Sequence, residues 1–251
     1  MAQHPDLLDR MIALALEAGE AILDVYGEDF TVAAKDDASP VTKADHLAEA
    51  IILKGLAGAA LDTPVLAEES AAAGRIPTLG RRFFLVDPLD GTKEFVSKTG
   101  EFTVNIALVE DARPTLGVVY APAIGRLYAA SPAGAFRGTG AGPRTPIRAR
   151  APLAGGLVAV ASRSHRTPET EEFLSTLTVA DFAAAGSSLK FCLVAEGAAD
   201  ISPRLGRTME WDTGAGQAVL EAAGGRVVVH PGGATLTYGK AARGFDNPHF
   251  I

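Results

Sequence analysis

The chain contains a single cysteine, Cys192, in 251 residues. One thiol cannot close an internal disulfide, so the cytoplasm is the expected compartment. Basic clusters are missing too. Lys and Arg number 23 against 30 Asp and Glu, a formal net charge of −7. The densest basic stretch, Arg144 to Arg150, holds three arginines and is broken by Pro146. Duplex nucleic acid is bound by displacing counterions with Lys and Arg, and is excluded as a partner. No apolar run is long enough to span a bilayer. The longest, Ala48 to Leu61, falls short of the ~20 residues required and carries Glu49 and Lys54. The opening Met-Ala-Gln-His-Pro-Asp has neither the basic nor the apolar region of a signal peptide. No integral membrane segment is therefore expected, while peripheral contact with the inner membrane stays open. The five histidines lack ligand spacing, which argues against zinc. The 27 glycines and 15 prolines follow no period, which excludes collagen.

What is present is material for a core: 47 % apolar against 21 % charged residues. The length suits one large domain or two small ones. Residues 5–26 repeat apolar positions at helical spacing (Leu7, Leu8, Met11, Ile12, Ala15, Ile22), and Gly27 closes that helix. Lys35 to Pro40 reads as a loop, and a second helix runs from Thr42 to about Leu56. Thr63 to Glu69 and Arg82 to Val86 read as strands that end in acids. Phe102–Glu110, Thr115–Tyr120 and Arg126–Ala130 are β-rich and punctuated by Gly, Pro and Asp. The Gly/Pro/Arg-rich stretch 138–152 is the best boundary candidate. Beyond it the pattern predicts a strand at Leu157–Ser162 and helices at Pro168–Leu177 and Ser187–Glu196. A helix from Asp212 to Ala223, capped by Gly224-Gly225, and a last strand at Val227–His230 complete the series.

The chemistry sits in acids at the ends of elements. Glu68 and Glu69 follow one strand, Asp87 and Asp90 another, Asp212 opens a helix, and Asp45 lies one turn into the second helix. Carboxylates at strand termini project into a shared cleft. Hard oxygen donors of this kind suit Mg²⁺, and two such ions about 4 Å apart clamp a phosphate and activate a water for in-line attack. In Asp87-Pro-Leu-Asp-Gly-Thr, Pro88 fixes φ and predicts a sharp turn that brings Asp87, Asp90 and the Leu89 carbonyl to one side. Gly91 permits close backbone approach, and Thr92 supplies a hydroxyl. Each feature also has a plainer account. Asp-Pro-x-Asp-Gly is an ordinary turn, Thr42-x-x-Asp45 resembles a capping box, Asp212 suits an N-cap, and Glu68-Glu69 suit solvent. Four such coincidences are harder to accept than one site.

Glu68-Glu-Ser, Asp87-Pro-Leu-Asp-Gly-Thr and Trp211-Asp-Thr-Gly-Ala-Gly, in that order, resemble the signatures of the inositol monophosphatase family of Mg²⁺-dependent, Li⁺-sensitive phosphatases. The resemblance spans nearly the whole chain. Lys93-Glu94-Phe, Gly100 to Leu108 and Gly186 to Gly197 look like its bacterial CysQ branch, the 3′(2′),5′-bisphosphate nucleotidases. It implies a layered αβαβα sandwich of the sugar-phosphatase type. Residues 1–148 would form an α+β half carrying most metal ligands, and 149–251 an α/β half supplying Asp212 and the substrate-side wall. It further implies that Glu68, Asp87 and the Leu89 carbonyl hold a first Mg²⁺, and that Asp87, Asp90 and Asp212 hold a second. Asp45 would serve a weaker third ion, and Thr92 with Glu68 would orient the attacking water. Substrate would meet Glu68, Leu89, Asp90, Gly91, Thr92 and Asp212. The implied reaction converts adenosine 3′,5′-bisphosphate to AMP and phosphate in sulfur metabolism. A phosphatase of the same superfamily acting on inositol or another sugar phosphate, and a non-catalytic nucleotide sensor, are the alternatives. A homodimer stays open.

Ser187 and Lys190 start a helix where amides and an ammonium could meet the nucleotide; N-capping by Ser187 with a solvated Lys190 is the alternative. Ser162-Arg-Ser-His165 is too local for a catalytic triad. Gly138-Thr-Gly-Ala-Gly lacks the following helix of a dinucleotide fingerprint. Cys192, within the apolar run Leu189–Val194, reads as a buried small hydrophobe.

Overall fold

A computed structural model describes residues 4–28, 40–60, 62–161 and 167–251. Of the predicted loop from Lys35 to Pro40, residues 35–39 lie outside the described residues, as does the Ser162 to His165 segment, while Pro40 opens a helix. Helix α1 (His4–Tyr26) buries the expected stripe from Leu7 to Val25, and the Gly27 N–H closes it on the Leu23 carbonyl at 2.9 Å. Helix α2 (Pro40–Ala59) packs beside it. A Cβ on Gly55 would stand 2.0 Å from Leu14 Cδ2, so glycine sets how closely the two helices approach. The buried face of α2 carries two acids one turn apart, Asp45 and Glu49, among Ala44, Ala48, Ile52 and Leu56. Carboxylates seldom take such positions without a partner, which marks this face as more than packing.

The helix pair covers one face of a seven-stranded sheet with strands in sequence order: β1 (Val65–Ala67), β2 (Arg82–Asp90), β3 (Thr103–Glu110), β4 (Arg113–Ala121), β5 (Arg126–Ser131), β6 (Gly134–Thr139) and β7 (Thr145–Ile147). β1 and β2 are parallel and the remaining pairs antiparallel. Side chains alternate across a strand, and both faces of β2 are covered. Phe84 and Val86 join the core under α1 and α2, while Phe83 and Leu85 join a second core on the opposite face. That core is roofed by α6 (Leu189–Ala195) and α7 (Glu210–Ala222). The small residues of α7 let it lie close on the sheet: a Cβ on Gly117 of β4 would stand 2.6 Å from the Ala215 carbonyl oxygen. Beyond α6 lies a two-stranded parallel sheet, β8 (Leu157–Ala161) and β9 (Val179–Ala184), joined through α5 (Pro168–Ser175). The short helices α3 (Glu68–Ala72) and α4 (Thr92–Val96) follow β1 and β2. The mixed α/β layering agrees with the expected fold class.

Several local expectations need correction. Val227–His230 is not a strand, because its backbone pairs alternately with Ile251 and Ala234 rather than along one ladder. Strands β6, β7 and β9 went unpredicted. The chain does not turn sharply at Pro88: β2 continues to Asp90 with an irregularity between Asp87 and Asp90, and the turn falls at Gly91, where φ is +97°.

Candidate active site

The register of the parallel pair builds the site. Ala67 of β1 lies opposite Val86 of β2, so the next residues, Glu68 just past β1 and Asp87 still within β2, stand side by side. The first turn of α7 brings Asp212 to the same point. Carboxylate oxygens of Glu68, Asp87 and Asp212 all lie within 4.8 Å of one another. Asp90 adjoins them three residues beyond Asp87, accepting from the Asn105 amide at 3.5 Å and from Ser188. Asp45 faces the group from α2, close enough to feel Glu69 and Glu68. Leu89 is buried, and its N–H donates to Asp87 Oδ1 at 3.1 Å, which bends the bulge toward the cluster. Gly91 is needed at this corner, both for its positive φ and because a Cβ would stand 3.3 Å from Ser187 Cβ and from Phe102 Cα. Thr92 opens α4 beside it and is exposed.

All five acids are pushed toward the neutral form. Burial is the largest cause in each case, and neighbouring carboxylates raise all five further, Glu94 doing so for Asp90. Asp45 rises to about 8, Glu68 and Asp212 to about 7, and Asp87 goes well above the usual carboxylate range. Asp90 rises less, because Lys190 and hydrogen bonds from Ser188 oppose its burial. Crowded, buried, hard oxygen donors with little countercharge of their own fit a divalent cation, which would supply the missing charge.

Asp212 is neither the first residue of its helix nor its N-cap. It is the third residue of α7, and its carboxylate accepts the Met209 N–H at 2.8 Å. Ser187 likewise does not cap α6. It sits before the helix at φ +41°, and its hydroxyl donates to the Glu101 carbonyl at 3.0 Å. Lys190 lies half-buried in the first turn of α6; burial lowers its pKa while Asp90 holds it up. A cavity of about 360 Å³ opens beside Asp90 and Asp212, lined also by Ser187, Lys190, Arg204 and Phe250.

Sequence reasoning missed three contributors. Glu49 accepts the Glu69 N–H at 2.8 Å and the Ser70 hydroxyl at 2.6 Å, fixing the start of α3 and so Glu68. Its signal was present, one turn after Asp45 on the same helix face. Ser188 contacts both Asp90 and Asp212. Arg204, in no motif, reaches the cavity from the loop after β9 and α6.

Residues 6–247 match the Inositol monophosphatase family. The chain is 46 % identical over 249 residues to the 3′(2′),5′-bisphosphate nucleotidase CysQ of Salmonella typhimurium (strain LT2), covering 97 % of this chain and 98 % of that one. Among solved structures it resembles CysQ from Bacteroides thetaiotaomicron, a bacterial member of the inositol monophosphatase family. The TM-score is 0.85 at 39 % identity, over 98 % of this chain and 96 % of the other. An inositol monophosphatase from Anabaena (Nostoc) sp. PCC 7120 aligns with a TM-score of 0.77 at 25 % identity, over 98 % and 90 % of the two chains.

Proposed function

The chain belongs to the inositol monophosphatase family, and from that membership and the geometry of its acids we propose that it is a Mg²⁺-dependent 3′(2′),5′-bisphosphate nucleotidase. The observation that carries the reading is the convergence of Glu68, Asp87 and Asp212 within 4.8 Å beside a cavity that also presents Lys190 and Arg204. An acidic protein needs such cationic help to accept a polyanion.

Glu68, Asp87 and the Leu89 carbonyl are assigned to one Mg²⁺, and Asp87, Asp90 and Asp212 to a second, with Asp45 serving a weaker third. Bound there, the ions supply Lewis-acid stabilisation of phosphate charge and lower the pKa of water. Four carboxylates carry −4, which two divalent ions cancel. Thr92 and Glu68 orient the attacking water, Thr92 from the exposed start of α4 and Glu68 from the clamp that Glu49 provides. Gly91 leaves the backbone open to the phosphate being cleaved. Lys190, Arg204 and Ser187 face the other end of the substrate, where a bisphosphate nucleotide carries a second phosphate. Binding energy from that remote group positions the reacting one. No helix among the described residues is long and apolar enough to cross a membrane. The cytoplasm is the proposed compartment.

Phosphate release from a substrate panel in Mg²⁺ tests the reading. Adenosine 3′,5′-bisphosphate is expected to be hydrolysed far faster than inositol 1-phosphate. Lys190→Ala should weaken the nucleotide by about 1.5–3 kcal/mol, the range for a hydrogen bond to a charged group. Faster inositol 1-phosphate turnover would replace the nucleotidase with a sugar-phosphate phosphatase. Activity that survives EDTA would remove the metal from the reaction.

A further inference from the structure

Ser188 occupies the N-cap position of α6, where serine ordinarily accepts an N–H of its own helix. Here the side chain makes no such bond. The residue is 1 % exposed, and its hydroxyl donates to the Asp212 carbonyl oxygen at 2.8 Å. That hydroxyl and the Ser188 N–H also lie within hydrogen-bonding reach of the Asp90 carboxylate. One residue thus ties the start of α6 to two acids from two other elements.

The approach to Ser188 is held just as firmly. Ser187 lies at φ +41°, a left-handed conformation that costs a non-glycine residue on the order of 1 kcal/mol or more and persists only where its surroundings impose it. Glu101 supplies that constraint: its carboxylate accepts the Gly186 N–H at 3.0 Å, and its carbonyl accepts the Ser187 hydroxyl at 3.0 Å. Thr103 donates to Ser187 Oγ at 3.2 Å. A Cβ on Gly186 would stand 2.7 Å from the Glu101 carbonyl, so the loop is pinned at close quarters on both sides. Lys190 follows two residues after Ser188, and its distance from Asp90 and Asp212 is set by these bonds.

We infer that Ser188 is a positioning residue for two-phosphate substrates, fixing the spacing between Lys190 and the carboxylates that hold the metal. The inference rests on the nucleotidase reading. A substrate anchored at both ends depends on that spacing, whereas an ester with one phosphate engages the carboxylate end alone. Geometric misplacement of this kind falls on positioning rather than on metal loading.

Ser188→Ala should fold, because the Asp212 carbonyl keeps its place in the α7 ladder and Asp90 keeps the Ser188 N–H. Its melting temperature is the check. The ratio of kcat/KM for adenosine 3′,5′-bisphosphate to that for 4-nitrophenyl phosphate, at saturating Mg²⁺, is expected to fall about tenfold, the scale of one lost hydrogen bond. In the Ser188→Ala background, Lys190→Ala should lower that ratio less than it does in the wild type, since residues acting as a unit are non-additive. Mg²⁺ affinity measured by calorimetry without substrate should change less than the ratio does. Ser188→Thr, which keeps a hydroxyl, should recover most of it. Equal losses on both substrates, matched by an equal loss of Mg²⁺ affinity or additive with Lys190→Ala, would make Ser188 an ordinary support and overturn the inference. A wild-type protein without preference for the bisphosphate removes the nucleotidase reading itself; a selective wild type whose selectivity survives Ser188→Ala removes only this one.

Discussion

Two sets of buried carboxylates in this molecule have opposite surroundings. Asp200, whose side chain is fully covered, receives the Arg150 guanidinium through two bonds of 2.8 and 2.9 Å and the Val158 N–H at 2.7 Å. Its pKa is lowered, chiefly by the Arg150 hydrogen bonds. Glu210, equally covered, accepts the Gly239 and Lys240 N–H groups and the Lys240 ammonium, all at 2.7–2.8 Å. Glu68, Asp87 and Asp212 are crowded against one another instead, and their pKa values rise. At Asp200 and Glu210 the chain supplies the countercharge. Where acids converge as the proposed metal ligands do, the countercharge is left to come from outside. The same residue type is therefore stabilising at one place and repulsive at the other.

Asp87→Asn puts the largest strain on this contrast. It should cut turnover by about a thousandfold, as the loss of several kcal/mol of transition-state stabilisation implies. The melting temperature of the metal-free protein should hold or rise, because a repelling charge has gone. A variant within threefold of the wild-type rate would break the contrast at its functional end. Asp200→Asn should do the reverse, lowering the melting temperature by several degrees while Mg²⁺-dependent phosphate release persists in what remains folded. Unchanged melting would show that the Arg150 pair contributes nothing.

The pH dependence separates the crowded acids from Asp200 by sign. Acids whose folded pKa is raised hold protons that the unfolded chain releases, so stability declines as pH rises from the unfolded value near 4 to the folded value. For Glu68 and Asp212 that window closes near 7 and for Asp45 near 8. Calorimetric scans of metal-free protein should therefore show a melting temperature that falls between pH 5 and 8. Saturating Mg²⁺ should raise it and flatten the slope. Asp200 acts oppositely: its stabilisation is present above the unfolded pKa and is lost as pH falls through the lower folded value. A metal-free melting temperature that rises from pH 5 to 8 would contradict the crowding. The smallest effect belongs to Glu49→Gln, which keeps one acceptor for the Glu69 N–H and weakens the bond from Ser70. About 1 kcal/mol of stability should be lost in denaturant titration, and a gain would show that its charge, rather than its bonds, dominates.

Glu68, Asp87 and Asp90 were legible in sequence because they follow strongly apolar strand patterns and Asp87-Pro-Leu-Asp-Gly-Thr is compact enough to be read locally, while Asp45 and Asp212 stand near the starts of recognisable helices. What joins them was not. The pairing of Ala67 with Val86 is a matter of sheet register, and no local signal reports it. Gly186-Ser-Ser reads as a helix cap, yet Glu101, 85 positions away, overrides that propensity by taking the Gly186 N–H. β9 is rich in alanine and becomes a strand only through its parallel partner, while β7 lies inside the Gly/Pro/Arg-rich stretch 138–152 that reads as a boundary. Arg204 carries no pattern at all; only the fold brings it to the cavity.

Strand β2 is buried on both faces and hydrogen-bonded on both edges, with one core above it and another below. Elements so placed open only when the whole molecule does, whereas loops at the periphery open by small fluctuations. Three of the residues assigned to the metals, Asp87, Leu89 and Asp90, are therefore carried by the last segment to come apart. Spontaneous displacement of Asp87 or Asp90 therefore requires global opening, so the geometry of this strand is as long-lived as the fold itself.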